Sequence, residues 1–153
     1  MKHLLLIIML LTFNLVNAQR YDLGDYFNPN PKEFKLIGIS SNTGVSTYRY
    51  ILPIADYMFG RKIGDIIIGE KNGRVVTTIY NMIPLKGDIG VPSSIIDLIQ
   101  ANLPFPLSPF NNGYAINIDN TSITITRTKN SLTFNKDRIM YFSSVKRSLL
   151  LNN

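Results

Sequence analysis

DIIIGEKNGRVVTTIYNMIPL, residues 65–85, sets two β-rich arms around Asn72-Gly73. That dipeptide supplies the two positive φ angles of a type I′ turn, whose twist matches the strands it joins, so the stretch predicts a β-hairpin. With Lys71 opposite Arg74 and Glu70 opposite Val75, strict alternation pairs Ile68 with Thr77 and Ile66 with Ile79 on one face. Ile67 with Thr78 and Asp65 with Tyr80 take the other. Both faces are then partly apolar, which suits a pair inside a larger sheet, since a lone hairpin is marginal in water.

Upstream, Phe34 to Ser40 and Val45 to Leu52 flank the turn residues Ser41-Asn42-Thr43-Gly44 and predict a second hairpin. Residues 19–33 are polar and turn-rich around Asn28-Pro29-Asn30-Pro31, and are expected to form a loosely packed arm. Ile54 to Phe59 is expected to make one short helical turn. Downstream, Ser94 and Asp97 form an acidic variant of the capping box ahead of Ile95, Ile96, Ile99 and Leu103 at helical spacing. This predicts a helix over about 94–103, closed by Pro104. LPFPLSPF, residues 103–110, carries three prolines that hold it extended and keep it out of any central strand. It is expected either to close one end of the core or to form a stiff apolar lip over a pocket or partner.

Tyr114 to Ile118, Thr121 to Arg127 and Ser131 to Asn135 predict a meander with one face to the core. Residues 137–151 space Ile139, Phe142, Val145 and Leu149 for a terminal helix, although Ile139 to Phe142 equally suits an extension of the sheet. The expected fold class is α+β: an antiparallel β-sheet of six or seven strands built from hairpins and a C-terminal meander, with a central helix and a possible C-terminal one.

Residues 1–18 predict a signal peptide: a short basic start, an apolar run from Leu4 to Phe13, and Val16-Asn17-Ala18 before cleavage at Ala18-Gln19. The run falls short of the roughly 20 apolar residues a membrane span needs. An uncleaved anchor is the lesser alternative. The expected product is one secreted domain over 19–153, periplasmic or extracellular, and the absence of cysteine leans towards a bacterial envelope. The chain's formal charge is +6. That balance favours anionic neighbours, but the basic residues fall in scattered pairs such as Arg61-Lys62 and Lys136 with Arg138, the ordinary pattern of a solvated surface. Nucleic acid is not expected, because no recognition motif is present.

The only histidine, His3, lies in the segment expected to be removed. Histidine-dependent triads, thiol chemistry and histidine-ligated zinc are therefore excluded from the mature chain. No calcium loop or phosphate-binding loop is present, so neither a metal nor a cofactor is expected. Asp65 and Glu70 point to opposite faces of a strand and make a poor catalytic pair. Two readings of function remain open beside that of a structural or inhibitory protein with no pocket. The first is a non-enzymatic binding module for an apolar ligand or an envelope protein, contacted at Tyr48, Tyr50, Tyr80, Phe105 and Phe110. The second is a carboxylate-dependent hydrolase of an envelope glycan, with Asp56 and Asp88 as its acid/base pair.

Overall fold

The computed structural model describes residues 21–129 and 136–151. Asn72 and Gly73 adopt φ of 53° and 75°, so the expected turn joins two strands. In chain order the strands are β1 (Phe34–Ile39), β2 (Ser46–Tyr50), β3 (Tyr57–Met58), β4 (Arg61–Lys71), β5 (Arg74–Met82), β6 (Ser108–Phe110), β7 (Gly113–Ile118), β8 (Thr121–Thr128) and β9 (Arg138–Val145). Two short helices, α1 (Ser93–Gln100) and α2 (Arg147–Leu151), complete the described elements. Every pairing is antiparallel, in the order β1-β2-β4-β5-β9-β8-β7-β6, with β3 paired to β4. The central hairpin is thus flanked on both sides.

Its register departs from strict alternation after the second pair. Lys71 faces Arg74 and Glu70 faces Val75, but Gly69 then faces Thr77, leaving Val76 as an extra residue. Ile68 therefore meets Thr78, Ile67 meets Ile79, Ile66 meets Tyr80, and Asp65 meets Asn81. The slip falls at Gly69, which fits because a Cβ there would stand 2.9 Å from Thr77 Cβ and 3.1 Å from Val45 Cγ1. A one-residue slip exchanges the faces of a strand. It carries Tyr80 and Met82 into the core with Ile66 and Ile68, and brings Asn81 to the opposite face beside Asp65.

The core joins Ile63, Ile66, Ile68, Val75, Tyr80 and Met82 of the hairpin to Ile116, Ile118, Ile123, Ile125, Ile139 and Tyr141 of the later strands. Ile95 and Ile99 of α1 are fully buried against them. Ser94 does not cap this helix. Pro92 occupies the cap position and its carbonyl accepts from Ile95 and Ile96 N–H, so no side-chain cap is made. The helix stops at Gln100, and Leu103 packs on the core beyond it. The other face of the central hairpin is buried as well, at Ile67 and Ile79.

Several other expectations change. Within the N-terminal arm, residues 21–27 are tied to the central hairpin, while 28–33 stay mostly exposed. Gly24 N–H donates to Val75 carbonyl at 2.8 Å, Phe27 N–H to Gly73 carbonyl at 2.9 Å, and Phe27 is 6% exposed. Edge-to-face contacts tie Phe27 to Tyr21, Phe34 and Tyr48, and Phe34 to Tyr50. The helical turn expected at 54–59 is replaced by β3 and a tight turn through Phe59 and Gly60, both at positive φ. Residues 138–145 form a strand, and only Arg147–Leu151 is helical. The strand expected at 131–135 lies outside the described residues.

The proline-rich segment divides its residues. Leu103 and Leu107 pack on the core, while Phe105 and Phe110 remain exposed. Gln100 holds it by donating to Phe105 carbonyl and accepting from Leu107 N–H. Pro109 lies in β6, an outermost strand, where its missing amide costs no ladder bond. At the opposite edge, β1 exposes Leu36, Ile37 and Ile39, and a bulge leaves Ile37 without a partner position on β2. Among the described residues no helix is long and apolar enough to cross a membrane.

Candidate functional site

Antiparallel order brings the end of β2, the start of β4, the end of β5 and the start of β9 to one end of the sheet. A cavity of about 580 Å³ opens there. Arg49 and Tyr50 of β2 line it with the following loop at Ile51, Leu52, Pro53 and Ile54. Lys62 to Asp65, Ile83, Lys136 and Arg138 complete the lining. Its volume lies in the range of small-molecule sites, and its lining is about as polar as it is apolar.

Two of its polar side chains are deeply buried: Asp65 is 2% exposed and Arg138 9%. Asp65 Oδ1 accepts a hydrogen bond from Asn81 Nδ2 at 2.7 Å, while Oδ2 has no partner among the described residues. Arg138 Nη1 donates to the Asp137 carbonyl at 2.9 Å, and Nε has no partner among them. Asp65 forms no ion pair with Arg138 or any other described residue. Buried polar groups are ordinarily satisfied, and each exception asks for a reason. Asp65 and Arg138 are exceptions of this kind, and both line the one cavity.

Backbone irregularity builds the site. Gly64 is the extra residue of a bulge between the pairs Ile63–Met82 and Asp65–Asn81. A Cβ on Gly64 would stand 3.0 Å from Arg138 Nε and 3.3 Å from the Asn81 carbonyl oxygen. The missing side chain is therefore what lets the guanidinium lie against β4.

Known protein families, curated proteins and solved structures contain no match to this chain.

The five aromatic side chains proposed from sequence do not converge. Tyr50 lines the cavity. Tyr48 is half-buried against Phe27, and Tyr80 is a core residue whose hydroxyl accepts from Tyr21 N–H at 3.2 Å. Phe105 lies beyond α1 and Phe110 on β6, with five strands between β6 and β2 in the sheet order. Asp56 precedes β3, its carbonyl accepting from Ile63 N–H. Asp88 is held by Arg61 through two bonds of 2.8 Å and also accepts from Leu85 N–H. The Arg61 bonds, with help from Leu85, hold its carboxyl below the usual range against the opposing effect of burial.

Asp65 and Arg138 were the residues that sequence reasoning missed. A usable signal existed: Asp65 and Asn81 are polar residues in a hairpin whose two faces both read as buried, so each needed a polar neighbour.

A second cavity, of about 850 Å³, lies between Gly90-Val91, the β6–β7 turn and the Arg127–Asp137 pair. Its Arg127 and Asp137 side chains already satisfy one another. Arg127 is bonded to both Asp137 oxygens at 2.7 and 2.5 Å and reaches the carbonyls of Asp88 and Gly90. This arrangement holds a loop in place. No group of three His, Cys, Asp or Glu side chains suited to a metal ion occurs among the described residues.

Proposed function

We propose that this chain is an exported, non-enzymatic binding module of a bacterial envelope, and that the cavity at the sheet end takes a small ligand. The observation that carries the reading is a cavity of about 580 Å³ lined by Asp65 and Arg138, each more than nine-tenths buried, with Asp65 Oδ2 and Arg138 Nε lacking a partner among the described residues. Export rests on the pattern of residues 1–18. The hydrolase reading needs a carboxyl that holds a proton at working pH. Asp88, tied to Arg61, is biased the other way and does not suit the role of that acid.

Native mass spectrometry of the mature protein, purified from the cell that makes it, tests this. The expected spectrum carries a stoichiometric small-molecule adduct that leaves on mild activation and is absent from Leu52→Trp, which fills the mouth of the cavity. A bare mass in the unaltered protein, or an adduct indifferent to Leu52→Trp, would overturn the site.

A further inference from the structure

We infer that the end of the sheet around the cavity mouth docks on an anionic lipid bilayer. This goes beyond the ligand reading and stands whether or not a molecule enters the cavity. The observation is a group of exposed apolar side chains gathered at one end of the sheet: Ile51 and Leu52 after β2, Tyr57 on β3, and Ile83, Leu85 and Ile89 after β5. Ile51, Leu52 and Ile83 border the cavity together with Lys62. Ile83 N–H donates to the Lys62 carbonyl at 2.8 Å, and Tyr57 pairs with Lys62 across β3 and β4. Exposed apolar residues scattered singly need no explanation, whereas a contiguous group marks an interaction surface.

Ile89 is the plainest member. It is 91% exposed, yet its loop is tied down on both sides. Asp88 is held by Arg61 through two bonds of 2.8 Å, and the carbonyls of Asp88 and Gly90 accept from Arg127 Nη1 at 3.3 and 3.0 Å. A loop held in this way loses little further freedom on contact, so Ile89 is ready to enter an apolar layer.

Charge chooses the partner. Among the described carboxylates at this end, Asp88 and Asp137 are paired with arginines, Asp65 is buried, and Glu33 and Asp56 are half-buried. Lys62 and Lys86 are exposed and make no ion pair among the described residues. Both stand among the apolar side chains, Lys62 opposite Tyr57 and Lys86 next to Leu85. The core of a protein interface is depleted of lysine, which makes this mixture a poor one for a protein partner. An anionic bilayer accepts it. Apolar side chains enter the boundary between headgroups and acyl chains, and lysines reach the phosphates on their own flexible stems.

The test is cosedimentation of the mature protein with vesicles of phosphatidylcholine alone and of phosphatidylcholine with about a third phosphatidylglycerol. Binding is expected with the anionic vesicles and should fall in about 0.5 M salt. Ile89→Asn should weaken it about tenfold or more, and Lys62→Gln or Lys86→Gln about fivefold each. Arg147→Gln removes an equal charge at the exposed start of α2, beyond the opposite end of β9, and should leave binding unchanged. The chain has no tryptophan, so Ile89→Trp supplies a single emission, which should shift to the blue on anionic vesicles. Tyr26→Trp, exposed beside Arg74 at the other end of β5, should not shift. Three results would each overturn the inference: no binding to anionic vesicles, equal binding to phosphatidylcholine alone, or a loss in Arg147→Gln as large as that in Lys62→Gln. A photoreactive side chain at position 89 that crosslinks in cells to one envelope protein, with no vesicle binding, would give this face to a protein partner instead. The native adduct and its response to Leu52→Trp are read separately, so failure here leaves the cavity reading standing.

Discussion

Asp88 shows how much a single carboxylate organises outside the cavity. It fastens the loop after β5 to Arg61, with side chains 11% and 12% exposed, and its backbone neighbour Leu85 adds a third bond. Charge-assisted bonds of this kind contribute about 1.5 to 3 kcal/mol. Asp88→Asn is therefore expected to lower unfolding free energy at pH 7 by about that amount. Its folded pKa lies below its unfolded value, so the stabilisation is full above about pH 4, the ordinary carboxylate range, and drains away as pH falls through the folded value. Urea unfolding followed from pH 7 to pH 2 should show a shallower acid decline in Asp88→Asn than in the parent protein. Equal slopes would show that the pair does nothing for the fold. In sequence, Asp88 was one of two carboxylates without an evident local task, and its partner lies 27 residues upstream. Nothing in the intervening chain announces that pairing.

Elements were legible where their chemistry is local. Asn72-Gly73 dictates its own turn, and Ile95 with Ile99 announces the buried stripe of α1 whatever caps the helix. Ile99→Ala is expected to cost about 2 to 5 kcal/mol, as for other large buried side chains cut to alanine; denaturant unfolding measures it. Leu98→Ala, at an exposed position on the same helix, should cost far less. Register was not legible, because it depends on contacts between strands. Strict alternation placed Asp65 across from Tyr80. The extra residue at Val76 replaces Tyr80 with Asn81, and the close packing at Gly69 where the slip falls involves residues as far apart as 45 and 77. The Asp65–Asn81 pair beside the candidate site exists because of that slip. Arg138 was hidden for another reason: beside Lys136 it looks like half of a solvated pair, and only the position of β9 next to β5 buries it.

At the scale of the molecule, the α+β class followed from hairpin patterning and one helical stripe, whereas the placement of β9 between β5 and β8 did not. Among the described residues, nothing pairs with the outer side of β1 or of β6. Pro109 guards one by withholding an amide from β6. At the other, β1 presents Leu36, Ile37 and Ile39 to water beside Lys35. An apolar open edge invites another strand, and bulges and lysines are among the means by which proteins discourage one. Deleting Ile37 should restore flush pairing of β1 with β2 and raise light scattering on concentration, while the far-ultraviolet circular dichroism stays β-rich; an unchanged scattering profile would count against any such role. The bulge at Ile37 then sets where this sheet ends. A folded copy meets a neighbour's outermost strand with its peptide groups out of step, and lateral growth into ribbons stalls at the first addition.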